Sequence, residues 1–305
     1  MSDMHGERSL VAPGAARLIA PRLVPRIWGG DRLPALLGAE SSDAIGEAWF
    51  GVADGRSSAP LAKLLDVRDR LSVQVHPDDA LARELHGVGE IGKHEAWVIV
   101  EADPGATILL GRDRSVSTAQ LAAALDAGGP VEPLLARVPV TAGDVIDVPP
   151  GLLHALMPNL LVWELQQPSD RTYRVSDWGR DDASRPLHRS EALRATDASA
   201  VAGVSVRVPA APGPHRLLDS GALRITAIVG PWSGRLATSR GDVATLIALR
   251  ATAIAPSGGE RDALSVAKIG GCALPHFASA RLGGGETELS LPAGETLLIG
   301  GLSAE

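Results

Sequence analysis

The chain has 305 residues, 45% of them hydrophobic, and a formal net charge of -7. That length accommodates two domains or one large one around a buried core, and the acidic balance argues against nucleic acid as a partner, which requires a basic footprint. Cys272 is the only cysteine, so no intrachain disulfide forms; with no apolar signal core and no run of about 18 apolar residues, the expectation is a soluble cytoplasmic protein with no membrane span.

Short apolar runs punctuated by Gly and Pro predict a mainly β protein. Residues 71–76 (LSVQVH) alternate, with Leu71, Val73 and Val75 to one side and Ser72, Gln74 and His76 to the other. His76-Pro77-Asp78-Asp79 then reads as a helix start, with Asp as N-cap and Gly87 as the stop. Residues 93–101 (KHEAWVIVE) predict a second strand, placing Lys93, Glu95 and Trp97 on one face and His94, Ala96 and Val98 on the other. Residues 117–137 predict a helical insert of two short helices broken at Gly128-Gly129-Pro130. The chain returns to β over 139–149, turning at Ala142-Gly143-Asp144, and Pro149-Pro150-Gly151 lead to His154. Residues 160–167 (LLVWELQQ) predict a strand with Glu164 and Gln166 on one face. Residues 181–214, rich in Asp, Arg, Ala and Pro, read as a crossing between domains. From Leu217 short strands resume (LRITAIV, VATLIALRATAIA, ETELSL, ETLLIGG), which predicts a second, smaller β domain.

Three of these strand faces carry polar residues where a barrel interior is normally apolar: Gln74 and His76, Glu95, and then His154. Buried polar groups need partners, and a metal ion satisfies several at once. Two imidazoles, a carboxylate and an amide oxygen suit an open Zn²⁺ site, while two His and one carboxylate are equally the set of non-haem Fe(II) oxygenases. His94 points to the opposite face, and His5, His86, His188, His215 and His276 fit no ligand pattern. Only three of the 29 cationic residues are lysine, namely Lys63, Lys93 and Lys268. A retained lysine offers a compact point charge that arginine does not.

Taken together, PRIWGG (25–30), KLLDVRDRLSVQVHPDD (63–79), GKHEAWVIV (92–100), AGDVIDVPPGLLHAL (142–156) and LVWELQQPSDRTYRVSDWGR (161–180) resemble the type I mannose-6-phosphate isomerases of the cupin superfamily. The resemblance covers most of residues 20–180 and is loose beyond 185. It implies a cupin (jelly-roll) barrel with its catalytic domain over 1–185, a connecting segment over 186–214 and a degenerate cupin-like β domain over 215–305. It also implies Zn²⁺ on Gln74, His76, Glu95 and His154, and a small phosphosugar as partner, in a monomer or small homo-oligomer. Ser72, Lys63 and Lys93 would surround the substrate phosphate, with Arg174 across the pocket and Glu164 and Asp170 beside the reacting sugar carbons. Glu164 is the first choice as general base and Lys93 the second; Arg174 serves either the phosphate or the enediolate. Tyr173 is read as packing. The family's GESWE is Gly46-Glu47-Ala48-Trp49-Phe50 here, and its QSSD is Gln167-Pro168-Ser169-Asp170. These departures keep another phosphosugar open as substrate. An Fe(II) cupin oxygenase is the rival reading, and Gln74 counts against it because a fourth ligand takes a position that O₂ needs.

Overall fold

The computed structural model describes residues 11–55, 57–180, 182–200, 202–249 and 267–303. The first half runs β1 (Ala16–Ile19), β2 (Arg22–Gly30), α1 (Arg32–Leu37), β3 (Ile45–Phe50), β4 (Leu61–Val67), β5 (Val73–Val75), α2 (Asp79–His86), β6 (Glu95–Ala102), β7 (Thr107–Arg112), α3 (Thr118–Ala127), β8 (Leu135–Pro139), β9 (Asp144–Val148), β10 (His154–Leu156), β11 (Leu160–Gln166) and β12 (Tyr173–Ser176). It continues through α4 (Arg189–Ala195), β13 (Val206–Arg207), β14 (Gly213–Ser220), β15 (Leu223–Val229), β16 (Trp232–Ile247), β17 (Lys268–Ile269), β18 (Cys272–Ala273), β19 (Ser279–Leu291) and β20 (Thr296–Leu302).

The strands of the first half are shared between two antiparallel sheets, in the orders β13-β9-β6-β11-β4-β3-β2 and β12-β5-β10-β7-β8. From β4 to β13 the chain crosses from one sheet to the other at every step but β7–β8, which is the jelly-roll arrangement. A third sheet, β14-β15-β20-β16-β19-β17-β18, also takes up β1 along β19. Residues 16–19 therefore belong to the C-terminal sheet although they open the chain.

Strand alternation explains where the site falls. Along β11 (LLVWELQ) the residues Leu161, Trp163 and Leu165 face outward and join Leu223, Ile225, Val243, Ile247 and Leu298 of the third sheet in one apolar cluster. The intervening residues Leu160 and Val162 face inward, packing with Trp28, Leu65, Trp97, Ile108 and Ile146 between the first two sheets. Continue that inward face two residues at a time and it reaches Glu164 and Gln166, both buried. The same change occurs on β4, from Val67 and Leu65 to Lys63, and on β6, from Ile99 and Trp97 to Glu95. One end of the barrel is thus packed with apolar side chains and the other is buried but polar.

The five-stranded sheet is covered on its outer face by α3 and α4, through Val73, Val75, Leu109, Leu121, Leu125 and Ala192. The insert differs from the expected helix pair. One α-helix forms, started by a capping box in which the side chains of Ser117 and Gln120 are bonded to each other's backbone N–H. It stops at Gly128, which is left-handed, and the following Glu132–Leu134 forms only a 3-10 turn, because β8 takes up the chain from Leu135 and leaves no room for a second α-helix. The segment 186–214 also carries more than a crossing: α4 packs on the barrel and β13 extends the seven-stranded sheet. The end of the expected strand VATLIALRATAIA lies outside the described residues. Among the described residues no helix is long and apolar enough to cross a membrane.

Trp163 ties the barrel to the third sheet, fully buried in the shared cluster with its indole N–H donating to Thr245 Oγ1 at 2.9 Å. Trp163→Ala is expected to cost about 3–5 kcal/mol, read by urea unfolding. A loss below about 1 kcal/mol would mean that the two halves do not share this core.

Candidate metal centre

The seven-stranded and five-stranded sheets bring their polar inward residues together. On the five-stranded sheet Gln74 of β5 lies between His154 of β10 and Arg174 of β12 in register. On the seven-stranded sheet Glu164 of β11 lies between Lys63 of β4 and Trp97 of β6, and Gln166 lies opposite Glu95. His76 follows β5 directly, and Asp78 caps α2 by accepting from Leu81 N–H at 2.7 Å, which fixes the turn after the histidine.

His76, Glu95 and His154 present three ligand atoms that all lie within 4.8 Å of one another, and all three residues are buried. Nε2 of His76 is 3.2 Å from Glu95 Oε2, and Nε2 of His154 is 3.2 Å from Glu95 Oε1. The other ring nitrogens face carbonyls: His76 Nδ1 donates to Arg171 O at 2.9 Å and His154 Nδ1 donates to Leu152 O at 2.8 Å. A carbonyl accepts only from an N–H, so each ring is turned with Nε2 toward Glu95, the outer support typical of metal-bound histidine. Gln74 completes the group with its amide 3.3 Å from His154 Nε2.

Burial, reinforced by the Lys93 ammonium, pushes His76 down to about 3, so its imidazole is neutral at physiological pH. Burial alone would raise Glu95, but Lys93 and then His76 hold it well below the usual carboxylate range. Burial would likewise lower Lys93, and Glu95 and Glu164 outweigh it and hold the ammonium above the ordinary lysine range. Lys93 Nζ is 2.6 Å from Glu95 Oε2 and 3.2 Å from His76 Nε2. Neither Glu95 oxygen takes a well-aligned hydrogen bond, and the residue is fully buried. Two directed imidazole nitrogens and an ionised carboxylate short of donors fit a divalent cation of borderline softness, and the Gln74 carboxamide, whose nitrogen is the atom nearer His154, offers its oxygen on a flip of the amide plane.

A second buried carboxylate stands beside this cluster. Glu164 Oε1 is 3.0 Å from Lys63 Nζ, and Trp97 Nε1 donates to Oε2 at 3.1 Å. Both groups open on a cavity of about 280 Å³ whose wall includes Ser72, Gln74, Lys93, Asp170 and Arg174. Gln166 donates to the carbonyls of Gln167 and Ser169 and so shapes the loop that delivers Asp170.

All ten residues singled out from the sequence meet at this one end of the barrel. His94 is turned away, bonded to Asp147 Oδ1 at 2.7 Å, as its strand position requires. Tyr173 packs behind α3 and its hydroxyl meets His86 Nε2 at 2.8 Å. Three charged wall residues escaped the sequence reading: Arg26, Glu47 and Arg185. Alternation in IGEAWF offered a signal for Glu47, which shares a face with Trp49 and accepts from its indole N–H at 2.7 Å. Phe50, in place of the family's second acid, is fully buried in the cluster shared with the third sheet. Arg185 lies in a segment without periodicity and had no such signal.

No family model matches the chain. It is 35% identical over 204 residues to a mannose-6-phosphate isomerase of Streptococcus mutans, covering 55% of this chain and 63% of that protein. It is 32% identical over 216 residues to a mannose-6-phosphate isomerase of Bacillus subtilis, covering 59% of this chain and 68% of that protein. Its match to the Streptococcus protein thus spans less than two thirds of that relative's length. Among solved structures it is similar to a mannose 6-phosphate isomerase from Bacillus subtilis, with a TM-score of 0.72 and 25% identity over 94% of this chain and 99% of that one. A zinc-bound mannose 6-phosphate isomerase shares the fold, with a TM-score of 0.69 and 11% identity over 95% of this chain and 100% of that one.

The Lys63–Glu164 pair is 3% and 5% exposed, so removing one partner strands a charge. Lys63→Met is expected to lower stability by about 3 kcal/mol, and adding Glu164→Gln to recover most of that loss. Urea unfolding of the double-mutant cycle reads the coupling; additive losses would contradict a buried pair.

Proposed function

This chain belongs to the mannose-6-phosphate isomerase family, and on that premise we propose that it interconverts mannose 6-phosphate and fructose 6-phosphate with a Zn²⁺ held by Gln74, His76, Glu95 and His154. The observation that carries the proposal is the convergence of His76, Glu95 and His154 directly behind Gln74 and Lys93, which line a cavity that also holds a separate carboxylate, Glu164. Aldose–ketose isomerisation needs both: a stabiliser for negative charge on oxygen and a base for a weak carbon acid. Bound there, the zinc ion would supply Lewis-acid polarisation of the substrate oxygens at C1 and C2.

The side chains supply the rest. Glu164 takes the proton from one of the two carbons and returns it to the other, through a cis-enediol. Trp97 and Lys63 hold its carboxylate from opposite ends, at 3.1 and 3.0 Å, so that it cannot turn away from the substrate. Lys93 lies between the ligand cluster and Glu164 and places positive charge where the substrate oxygen becomes negative. Asp170 and Ser72 line the same wall and offer hydrogen bonds to sugar hydroxyls. The apolar end of the barrel, with Leu65 and Leu71 on the cavity wall, closes the site behind the sugar and limits water.

Conversion of mannose 6-phosphate, followed through a coupled assay for fructose 6-phosphate, is expected to stop after chelation and return on adding Zn²⁺. Turnover that is indifferent to chelation would overturn the metal's role. Glu164→Gln is expected to keep its zinc while kcat falls at least about a hundredfold. Near-normal kcat in that variant would remove Glu164 as the base.

A further inference from the structure

Three guanidinium groups from separate parts of the chain meet on one side of the cavity. Arg174 comes from β12, Arg185 from the loop after it, and Arg26 from β2. Their delivery is specific. β2 loses register between Pro25 and Gly30, both opposite Ile45, and the excursion between them carries Arg26 and Trp28 to the cavity wall. That excursion needs Gly46, since a Cβ there would fall 2.5 Å from Arg26 Cβ. Arg185 is pinned by Asp177, which accepts from its Nε at 2.8 Å and its Nη2 at 3.1 Å while itself only 4% exposed.

Each arginine is braced from behind and open in front. Arg26 Nη2 donates to Glu47 Oε2 at 2.8 Å, and Arg174 Nη1 donates to Pro186 O at 2.9 Å. Among the described residues, Arg185 Nη1 and the remaining guanidinium nitrogens of Arg26 have no hydrogen-bond acceptor, and Arg174 Nε is buried without one. Arg174 has no carboxylate in contact among the described residues, and burial, with Arg185 and Arg26 beside it, holds its guanidinium below the ordinary arginine range although Asp177 and Asp182 act the other way. Gathering three cations is unfavourable until an anion arrives, and a planar guanidinium fork matches phosphate oxygens. The lysines, by contrast, are engaged: Lys63 with Glu164 at 3.0 Å and Lys93 with Glu95 at 2.6 Å. Of the cavity's carboxylates, Glu47 and Glu164 are likewise paired, and Asp170 acts on Lys93.

We propose that Arg26 and Arg185, with Arg174 between them, form the cradle for the substrate's phosphate, and that Lys63 serves Glu164 rather than the phosphate. The assignment rests on the phosphosugar reading above and makes it specific. Arg174 stands two strands from His154 across Gln74, about 10 Å. An open six-carbon sugar phosphate anchored at the arginines extends its far end toward the ligand cluster.

Calorimetric titration with inorganic phosphate tests this without any turnover. Arg185→Gln and Arg26→Gln are each expected to weaken phosphate binding about tenfold or more, with zinc content and circular dichroism unchanged. Arg185→Lys keeps the charge, loses the fork, and is expected to fall between wild type and Arg185→Gln, which covers the case in which the glutamine variant fails to fold. The double variant Lys63→Met/Glu164→Gln, which leaves no stranded charge in the cavity, is expected to bind phosphate as wild type does. Wild-type affinity in both arginine variants, loss in the Lys63→Met/Glu164→Gln variant alone, or no phosphate binding by the wild type would each overturn the cradle. Arginine-dependent phosphate binding in a protein that fails to isomerise mannose 6-phosphate would uphold the cradle and reject the isomerase reading instead.

Discussion

Glu95 sits wholly out of water with Lys93 Nζ 2.6 Å from one oxygen and an imidazole Nε2 3.2 Å from each. An ionised carboxylate in such a place is stable only if positive charge is brought to it, and much of the barrel's polar end serves that requirement. Lys93 brings part of that charge, and the two histidines, turned by carbonyls so that an unprotonated Nε2 faces Glu95, are placed to share a cation with it. The cluster is kept from solvent by the apolar half of the same strands, and those strands are backed by the third sheet through Trp163 and its neighbours.

Charge alternates outward from that carboxylate. Glu95 meets Lys93, Lys93 feels Glu164, Glu164 pairs with Lys63, Lys63 acts on Glu47, and Glu47 binds Arg26. Each group is stabilised by neighbours of opposite sign at low effective dielectric, so removing one exposes the next. The run ends at the cavity's rim in three arginines, with Glu47 behind Arg26 and Asp177 behind Arg185. An acidic chain thereby keeps a cationic mouth, which draws in an anionic substrate that the surface at large would repel.

Much of this was legible in the sequence, for a physical reason. A strand buried on both faces still alternates, so Glu95, Glu164 and Gln166 announce themselves as polar residues at inward positions of apolar runs. Gln74 and His76 show the same i, i+2 spacing on a strand that the structure trims to Val73–Val75. What escaped depends on contacts remote in the chain. The partner of Lys63 comes from a strand about a hundred residues later, Arg26 enters through a register slip, and Arg185 is held by Asp177 in an irregular loop. Likewise the pairing of β1 with β19 and the packing of α4 on the barrel follow from tertiary geometry that no local pattern encodes.

His76, Glu95 and His154, with Gln74, are proposed to bind one metal ion. Metal content of the purified protein and of His154→Ala, measured by mass spectrometry after zinc loading and desalting, tests it most directly. About one zinc per chain is expected in the wild type and almost none in a folded His154→Ala. Equal zinc in both proteins, or none in the wild type, would contradict it.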